Sequence, residues 1–295
     1  MYGESEDRLA EVSAGAAAEL ERIETKYSRY REGSLLSEIN RRAGTGQFVS
    51  LDNETIGLLN YAQTAFDQSG GLFDITSGVL RRAWDFNSQT LPAKETLREL
   101  CELVGWQHVT LTEGAIHLSH TGMEIDFGGF GKEYAADRVV AYCREQGIAA
   151  GLIDLGGDVC VIGPHPDGRP WQIGIRDPRN PEAALASLPL GRGALATSGD
   201  YERFMEVDGK RYCHLLDPRT GWPVESLSGV SVVAEQCLVA GTATTVAMLK
   251  GKGGAAWLRK LGLPHLYIDK DGHRGGTMWP KQRSAKTPAP AHRQV

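Results

Sequence analysis

The stretch RYCHLLDPRTGWPV, residues 211–224, sets His214 three residues before Asp217 and follows them with Arg219, Thr220 and Gly221. A tight turn needs only the Asp, Pro and Gly of this segment. The imidazole is the side chain that titrates near neutral pH and can move a proton during a reaction. A carboxylate beside it can fix the loop or help activate a nucleophile. On spacing alone, His214 also reads as a histidine that ends a hairpin strand and faces solvent. Arg219 likewise reads as a solvated charge.

Four glycine-rich stretches carry an acid or a hydroxyl each: GGLFDITSG (70–78), IDFGGFGKEYAAD (125–137), LIDLGGDV (152–159) and LATSGDYERF (195–204). Glycine lets backbone approach a ligand closely and exposes N–H groups that can hold phosphate oxygens. Each stretch taken singly is explained by ordinary turns, whereas the four together point to a phosphate-bearing ligand. Neither a GxGxxG opening a helix after a strand nor a GxxxxGK[ST] loop is present.

The chain has 295 residues, 41% of them apolar, enough to bury the core of one large domain or two packed lobes. Lys and Arg number 32 against 37 Asp and Glu, a net charge of −5. That balance lacks the basic footprint of a nucleic-acid binder. No apolar run approaches the ~20 residues of a membrane span. The start, MYGESEDRLAEV, is charged and shows no signal peptide. The five cysteines are scattered and form no CxxC pair, so they read as free thiols or buried residues.

Residues 6–27 carry Leu9, Val12, Ala16, Leu20, Ile23 and Tyr27 at helical spacing. Ser34 opens a second helix that Gly44 stops, and Asp52 or Asn53 opens a third that reaches Gly70 and Gly71. A fourth is expected over AKETLRELCELVG, ending at Gly105. HVTLT and AIHLS form a hairpin that continues into MEIDFGGFG; KEYAADRVVAYCREQG is a helix and AGLIDLGG a buried strand. PWQIGIRD alternates like a half-buried strand, and FMEVDGKRYCHLLD is a hairpin turning at Asp208-Gly209. VSVVAE, a small-residue helix over 238–250, AWLRKLG and HLYID complete the ordered part. The polar, proline-containing end, residues 281–295, is expected to be disordered. Helix runs mixed with hairpins indicate an α+β class.

Six segments in one order resemble the FAD:protein FMN transferase (ApbE) family: SRYREGSLLSEIN, GLFDITSGVL, IDFGGFGKEYAAD, LIDLGGDV followed by GPHPDGRPWQIGIRDP, LATSGDYERF, and GKRYCHLLDPRTGWPV. The likeness extends over roughly residues 17 to 270. It implies one domain over residues 1–280, with largely antiparallel mixed sheets, flanking helices and an FAD cleft between two lobes. It also implies an enzyme that uses Mg²⁺ to move the FMN half of FAD onto a Thr or Ser hydroxyl of an acceptor flavoprotein carrying a Thr-containing motif, releasing AMP. Membrane association would come only through that acceptor. The chain as written would be cytoplasmic, or periplasmic if an upstream signal has been removed.

By this resemblance His214 is a catalytic or phosphate-contacting group, and Asp217 fixes the loop or assists activation. Tyr30 would lie against the flavin ring; as a helix-end aromatic it could equally be core. Phe73 and Asp74 match a flavin-contacting segment, Asp126 an acid that accepts hydrogen bonds from the nucleotide, Lys132 a point charge for phosphate, and Leu215 a cofactor position. Thr197 and Ser198 would donate to phosphate or serve a turn. A carbonyl at Gly129 would hold the Mg²⁺ together with Thr245, which Thr244 precedes.

Two departures stand out. The family places an Asp four residues before that Thr, on the same helix face; here the residue is Gly241. Mg²⁺ commonly takes one or two carboxylates, so binding should weaken badly unless waters, phosphates, Asp126 or another acid substitutes; the glycine could also simply permit close helix packing. A front strand with a flavin-touching motif is also expected before the first helix, and the chain begins almost at that helix. Three other readings remain open: an FAD pyrophosphatase yielding FMN and AMP, a non-catalytic FAD binder, and a nicotinamide dehydrogenase built on LIDLGGDV. The last is disfavoured because its glycine pair leads into a strand, VCVIG.

Overall fold

The computed structural model describes residues 1–3 and 5–279; the tail expected over 281–295 lies outside them. Helix α1 (Glu6–Tyr27) starts where the Ser5 hydroxyl accepts the Arg8 N–H, with Glu6 and Asp7 at its positive end and Lys26 at its negative end. Its stripe of Val12, Ala16, Ile23 and Tyr27 is buried. Helix α2 (Leu35–Arg41) is capped by Ser34, and the strand β1 (Val49–Ser50) leads into α3 (Asn53–Ser69), capped by Asp52 and closed by Gly70 in the left-handed region. A 3₁₀ stretch, Ile75–Arg82, and helix α4 (Lys94–Cys101) follow. Strands β2 (Val109–Leu111) and β3 (Ala115–Leu118) pair antiparallel, with β1 on the other edge of β3. These elements enclose a core of Leu36, Ile39, Leu59, Ile116, Ile125 and Phe130.

The second half is built on a six-stranded sheet. Helix α5 (Gly131–Glu145) precedes β4 (Gly151–Leu155) and β5 (Asp158–Gly163); β6 (Trp171–Asp177) and β7 (Asn180–Leu190) make a separate ribbon. Then come β8 (Ala194–Gly199), the hairpin β9 (Phe204–Val207) and β10 (Lys210–Cys213), β11 (Leu227–Ala234), helices α6 (Cys237–Lys250) and α7 (Gly254–Lys260), β12 (His265–Asp269) and β13 (Arg274–Gly276). The order in the large sheet is β13-β12-β11-β8-β5-β4, every pairing antiparallel. β5 is buried on both faces, Val159 and Val161 beneath the β6–β7 ribbon and Cys160 and Ile162 beneath α1 and α5.

The α+β reading and the antiparallel sheets are thus found. Several boundaries differ. The fourth helix ends at Cys101, and Gly105, at φ 153, starts a 3₁₀ turn instead of closing the helix. Residues 123–130 are irregular and not the continuation of a hairpin, because their backbone wraps the mouth of α5. β4 is an edge strand and only partly buried. LATSG, read as a glycine-rich turn, is the interior strand β8, paired to β5 and β11. At the chain start, Tyr2 pairs with Ala150 beside β4. Among the described residues no helix is long and apolar enough to cross a membrane.

Helix α6 is the centre of this half. It buries Ala240, Gly241, Ala243, Thr244, Ala247 and Met248, so it has no polar face and must be surrounded. It also has no cap of its own. Both oxygens of Asp137, on α5, accept the N–H groups of Cys237 and Leu238 at 2.8 and 2.9 Å. Asp137→Ala leaves those N–H groups unpaired at a helix start, a loss of about 1–2 kcal/mol. Urea denaturation should show that loss as a lower midpoint with an unchanged slope; a midpoint equal to the parent's would remove this cap from the account.

Candidate active site

Between the two halves lies a cleft of about 430 Å³. One wall is the loop before α5 and that helix's first turn, Asp126, Gly128, Gly129, Lys132 and Glu133. The segment after the β9–β10 hairpin, His214 to Leu216, also lines the cleft, with Glu202 and Arg203. Thr197 and Ser198 of β8 and Thr245 of α6 form the floor, while Tyr30, Trp84 and Phe86 stand at the aromatic side. No side chain caps α5, so its positive end opens toward this space.

Eleven of the thirteen residues singled out from the sequence line this one cleft: Tyr30, Phe73, Asp74, Asp126, Gly129, Lys132, Thr197, Ser198, His214, Leu215 and Thr245. Asp217 and Thr244 do not. Asp217 organises its own turn: its carboxylate accepts the backbone N–H of Arg219 at 2.9 Å and two guanidinium N–H groups. The loop is tied to the cleft by Trp84, whose indole donates to the Gly221 carbonyl at 2.8 Å. Thr244 is fully buried, donating to the Gly241 carbonyl at 2.8 Å and receiving the Ser198 hydroxyl at 2.8 Å.

Three of the acids and bases that do line the cleft are engaged within the protein. Asp74 caps the 3₁₀ stretch through the Thr76 N–H and hydroxyl and accepts the Trp106 N–H, which makes it a scaffold for the loop. Burial pushes its carboxyl above the usual range despite those donors. Asp126, expected to accept from a nucleotide, receives Arg29, Arg81 at 2.9 Å and the Gly128 N–H at 3.1 Å. Lys132, expected as a free charge, is 2.5 Å from the buried Asp158 and donates to the Leu155 carbonyl at 3.2 Å. Phe73 is 4% exposed and backs Gly129, where a Cβ would come within 3.2 Å of its ring. Tyr30 is the opposite case: at 76% exposed it is no core residue, and the Arg29 guanidinium lies 4.6 Å from its ring centre. Thr197 shares a 2.8 Å hydrogen bond with Ser231.

The cations that matter most were not singled out from the sequence. Arg29, Arg81 and Arg203 all reach the cleft. Each sat inside or beside a quoted segment, SRYREGS, GLFDITSGVL and SGDYERF, but arginine is common on surfaces and only the fold converges the three. Glu133 was also passed over. It is 8% exposed, and its Oε2 has no hydrogen-bond partner. Burial, helped by the neighbouring Asp158 carboxylate, pushes its carboxyl above the usual range.

His214 is placed to act. Its Nδ1 lies 3.1 Å from the Arg203 carbonyl, an atom that can only accept, so Nδ1 carries the proton and Nε2 keeps its lone pair. Burial is the main cause that holds the imidazole below 6.5, and the nearby Arg203 charge adds to it. At neutral pH this residue is an uncharged base in a cleft that Arg29, Arg81 and Arg203 also line. The arrangement suits a substrate with paired anionic oxygens and a flat ring.

The family description "ApbE family" matches residues 2–267. The FAD:protein FMN transferase of Klebsiella pneumoniae (strain 342) is 32% identical over 260 residues, spanning 85% of this chain and 80% of that protein. The protein of the same name from Chlamydia pneumoniae is 34% identical over 235 residues, 77% and 72% of the two chains. Among solved structures, the ApbE protein of Thermotoga maritima superposes with a TM-score of 0.86 at 29% identity over 94% of this chain and 92% of that one. The flavin transferase ApbE from Vibrio cholerae gives 0.81 at 26% identity over 94% and 90%. Sequence and backbone agree over the same span, and this chain belongs to the ApbE family.

Proposed function

We propose that this chain transfers the FMN half of FAD to a Thr or Ser hydroxyl of an acceptor flavoprotein, releasing AMP. The observation that carries the reading is the neutral His214 facing a cleft in which three arginines and the start of α5 converge. In the reaction the acceptor oxygen forms a bond to the FMN phosphorus, and the bond from that phosphorus to the oxygen bridging to AMP breaks, AMP leaving with the electron pair. The acceptor proton goes to Nε2 of His214, whose tautomer is set by the Arg203 carbonyl. Arg29 and Arg81, held in place by Asp126, face the pyrophosphate oxygens. Tyr30 and Phe86 line the cleft where the isoalloxazine would pack, with the buried Trp84 stacked on Phe86.

The residues present fit a Mg²⁺ ion. Thr245 and Gly129, which can offer a hydroxyl and a carbonyl as hard oxygen donors, line the cleft with Glu133, whose buried Oε2 has no hydrogen-bond partner. When bound, the ion would neutralise charge that develops on the pyrophosphate. The acceptor's Thr-containing motif, and any membrane association through that acceptor, belong to the same reading. Relatives named FAD:protein FMN transferase support it.

His214→Ala should lower the rate of acceptor labelling by about 10²–10⁴-fold, the usual worth of a positioned base, while FAD still binds. A gel viewed under ultraviolet light, with FAD, Mg²⁺ and a candidate acceptor, reads the labelled band; undiminished labelling removes His214 from the reaction. Because the group must be unprotonated and its pKa is depressed, the rate should be level at neutral and higher pH. It should fall only as pH drops below the ordinary imidazole range.

Omitting the acceptor separates transfer from hydrolysis. FAD and Mg²⁺ alone should give AMP far more slowly than with acceptor, as followed by chromatography. Equal rates with and without acceptor would make the protein a pyrophosphatase.

A further inference from the structure

We propose that Glu133, on α5, supplies the carboxylate of the divalent-cation site, in the space that a side chain at position 241 of α6 would otherwise fill. The inference rests on the transferase reading for the presence of the cation, and concerns which of this chain's residues hold it.

Gly241 lies one helical turn before Thr245 and so on the same face of α6. A Cβ placed on Gly241 would stand 2.5 Å from Cγ of Glu133 and 2.9 Å from both its Cδ and its Oε1. Real atoms do not approach that closely, so positions 133 and 241 cannot both carry these side chains in this arrangement. The glycine is the receptor for the glutamate. An acid reaches the start of that turn across the helix–helix contact instead of along α6.

The environment of the carboxylate calls for a cation. Glu133 is 8% exposed and lines the cleft, and its Oε2 has no hydrogen-bond partner. A buried carboxyl oxygen left without a partner is costly. The nearest cation, the Lys132 ammonium, is 3.9 Å from Oε1 but 2.5 Å from Asp158, and it also donates to the Leu155 carbonyl. Asp158 therefore takes that charge first. Thr245 adds a hydroxyl that, among the described residues, makes a single loose hydrogen bond, 3.5 Å to the Ser198 hydroxyl. Glu133, Thr245 and Gly129 line the same cleft, and the carboxylate, hydroxyl and carbonyl they can offer are all oxygens, which suits Mg²⁺ or Mn²⁺ and not zinc.

The test is Mn²⁺ binding by the full chain in the presence of FAD, with free Mn²⁺ counted by electron paramagnetic resonance and FAD binding followed by fluorescence in the same samples. Glu133→Gln keeps the shape and removes the charge, and should weaken Mn²⁺ binding by about 10-fold or more. Glu133→Gly should lose the ion too, and adding Gly241→Asp to that variant should regain most of the affinity. Equal Mn²⁺ affinity in the parent and Glu133→Gln overturns the assignment, as does a parent that binds no Mn²⁺. A double variant as weak as Glu133→Gly counts against it as well. A parent that binds Mn²⁺ through Glu133 yet never labels an acceptor would sink the transferase reading and leave this assignment standing.

Discussion

The seating of α5 against α6 is the contact on which the rest of the molecule depends. Two side chains of α5 act there, one turn apart on the same helix. Asp137 satisfies the first N–H groups of α6, and Glu133 enters the space over Gly241. Helix α6 is buried along most of its length and rests on β8 and β11 through Ala196, Val230 and Val232, so its position sets where Thr245 meets the cleft. The start of α5 is set by the same contact. The cleft is therefore a consequence of how two buried helices fit, and small residues along α6 are what let them approach.

Several charges at the cleft are paired before any ligand arrives. Asp126 holds Arg29 and Arg81, Asp158 holds Lys132, and Asp217 holds Arg219 outside the cleft. An arginine shared with a carboxylate keeps donors free for a second partner, because the guanidinium has five N–H groups. Such pairing fixes direction in advance, so binding a pyrophosphate need not order long side chains from scratch. It also accounts for acids in a site meant for anions: Asp126 and Asp158 serve as anchors for the cations.

Much of the chain's local structure was readable from residue pattern. The caps Ser34 and Asp52, the turn at Asp208-Gly209 and the stripe of α1 all fall where spacing and residue type put them. Local signals of this kind work because capping and turn geometry involve residues within a few positions of one another. The errors fell where tertiary contacts overrule the local pattern. LATSG looks like a loop, yet it is strand β8 because β5 and β11 supply its hydrogen bonds. Residues 123–130 alternate like a strand, yet find no partner strand and turn into α5.

The sequence by itself determined the α+β class, the family likeness and a set of candidate residues most of which meet in one cleft, because conserved-looking order and periodicity are properties of the chain alone. Only the tertiary structure decided what each of them does there. Which charges are already neutralised, which of three scattered arginines converge, and that Glu133 occupies the place left by Gly241 all follow from distances between residues tens to more than a hundred positions apart. Those distances are set by packing of buried surfaces, and no local pattern encodes them.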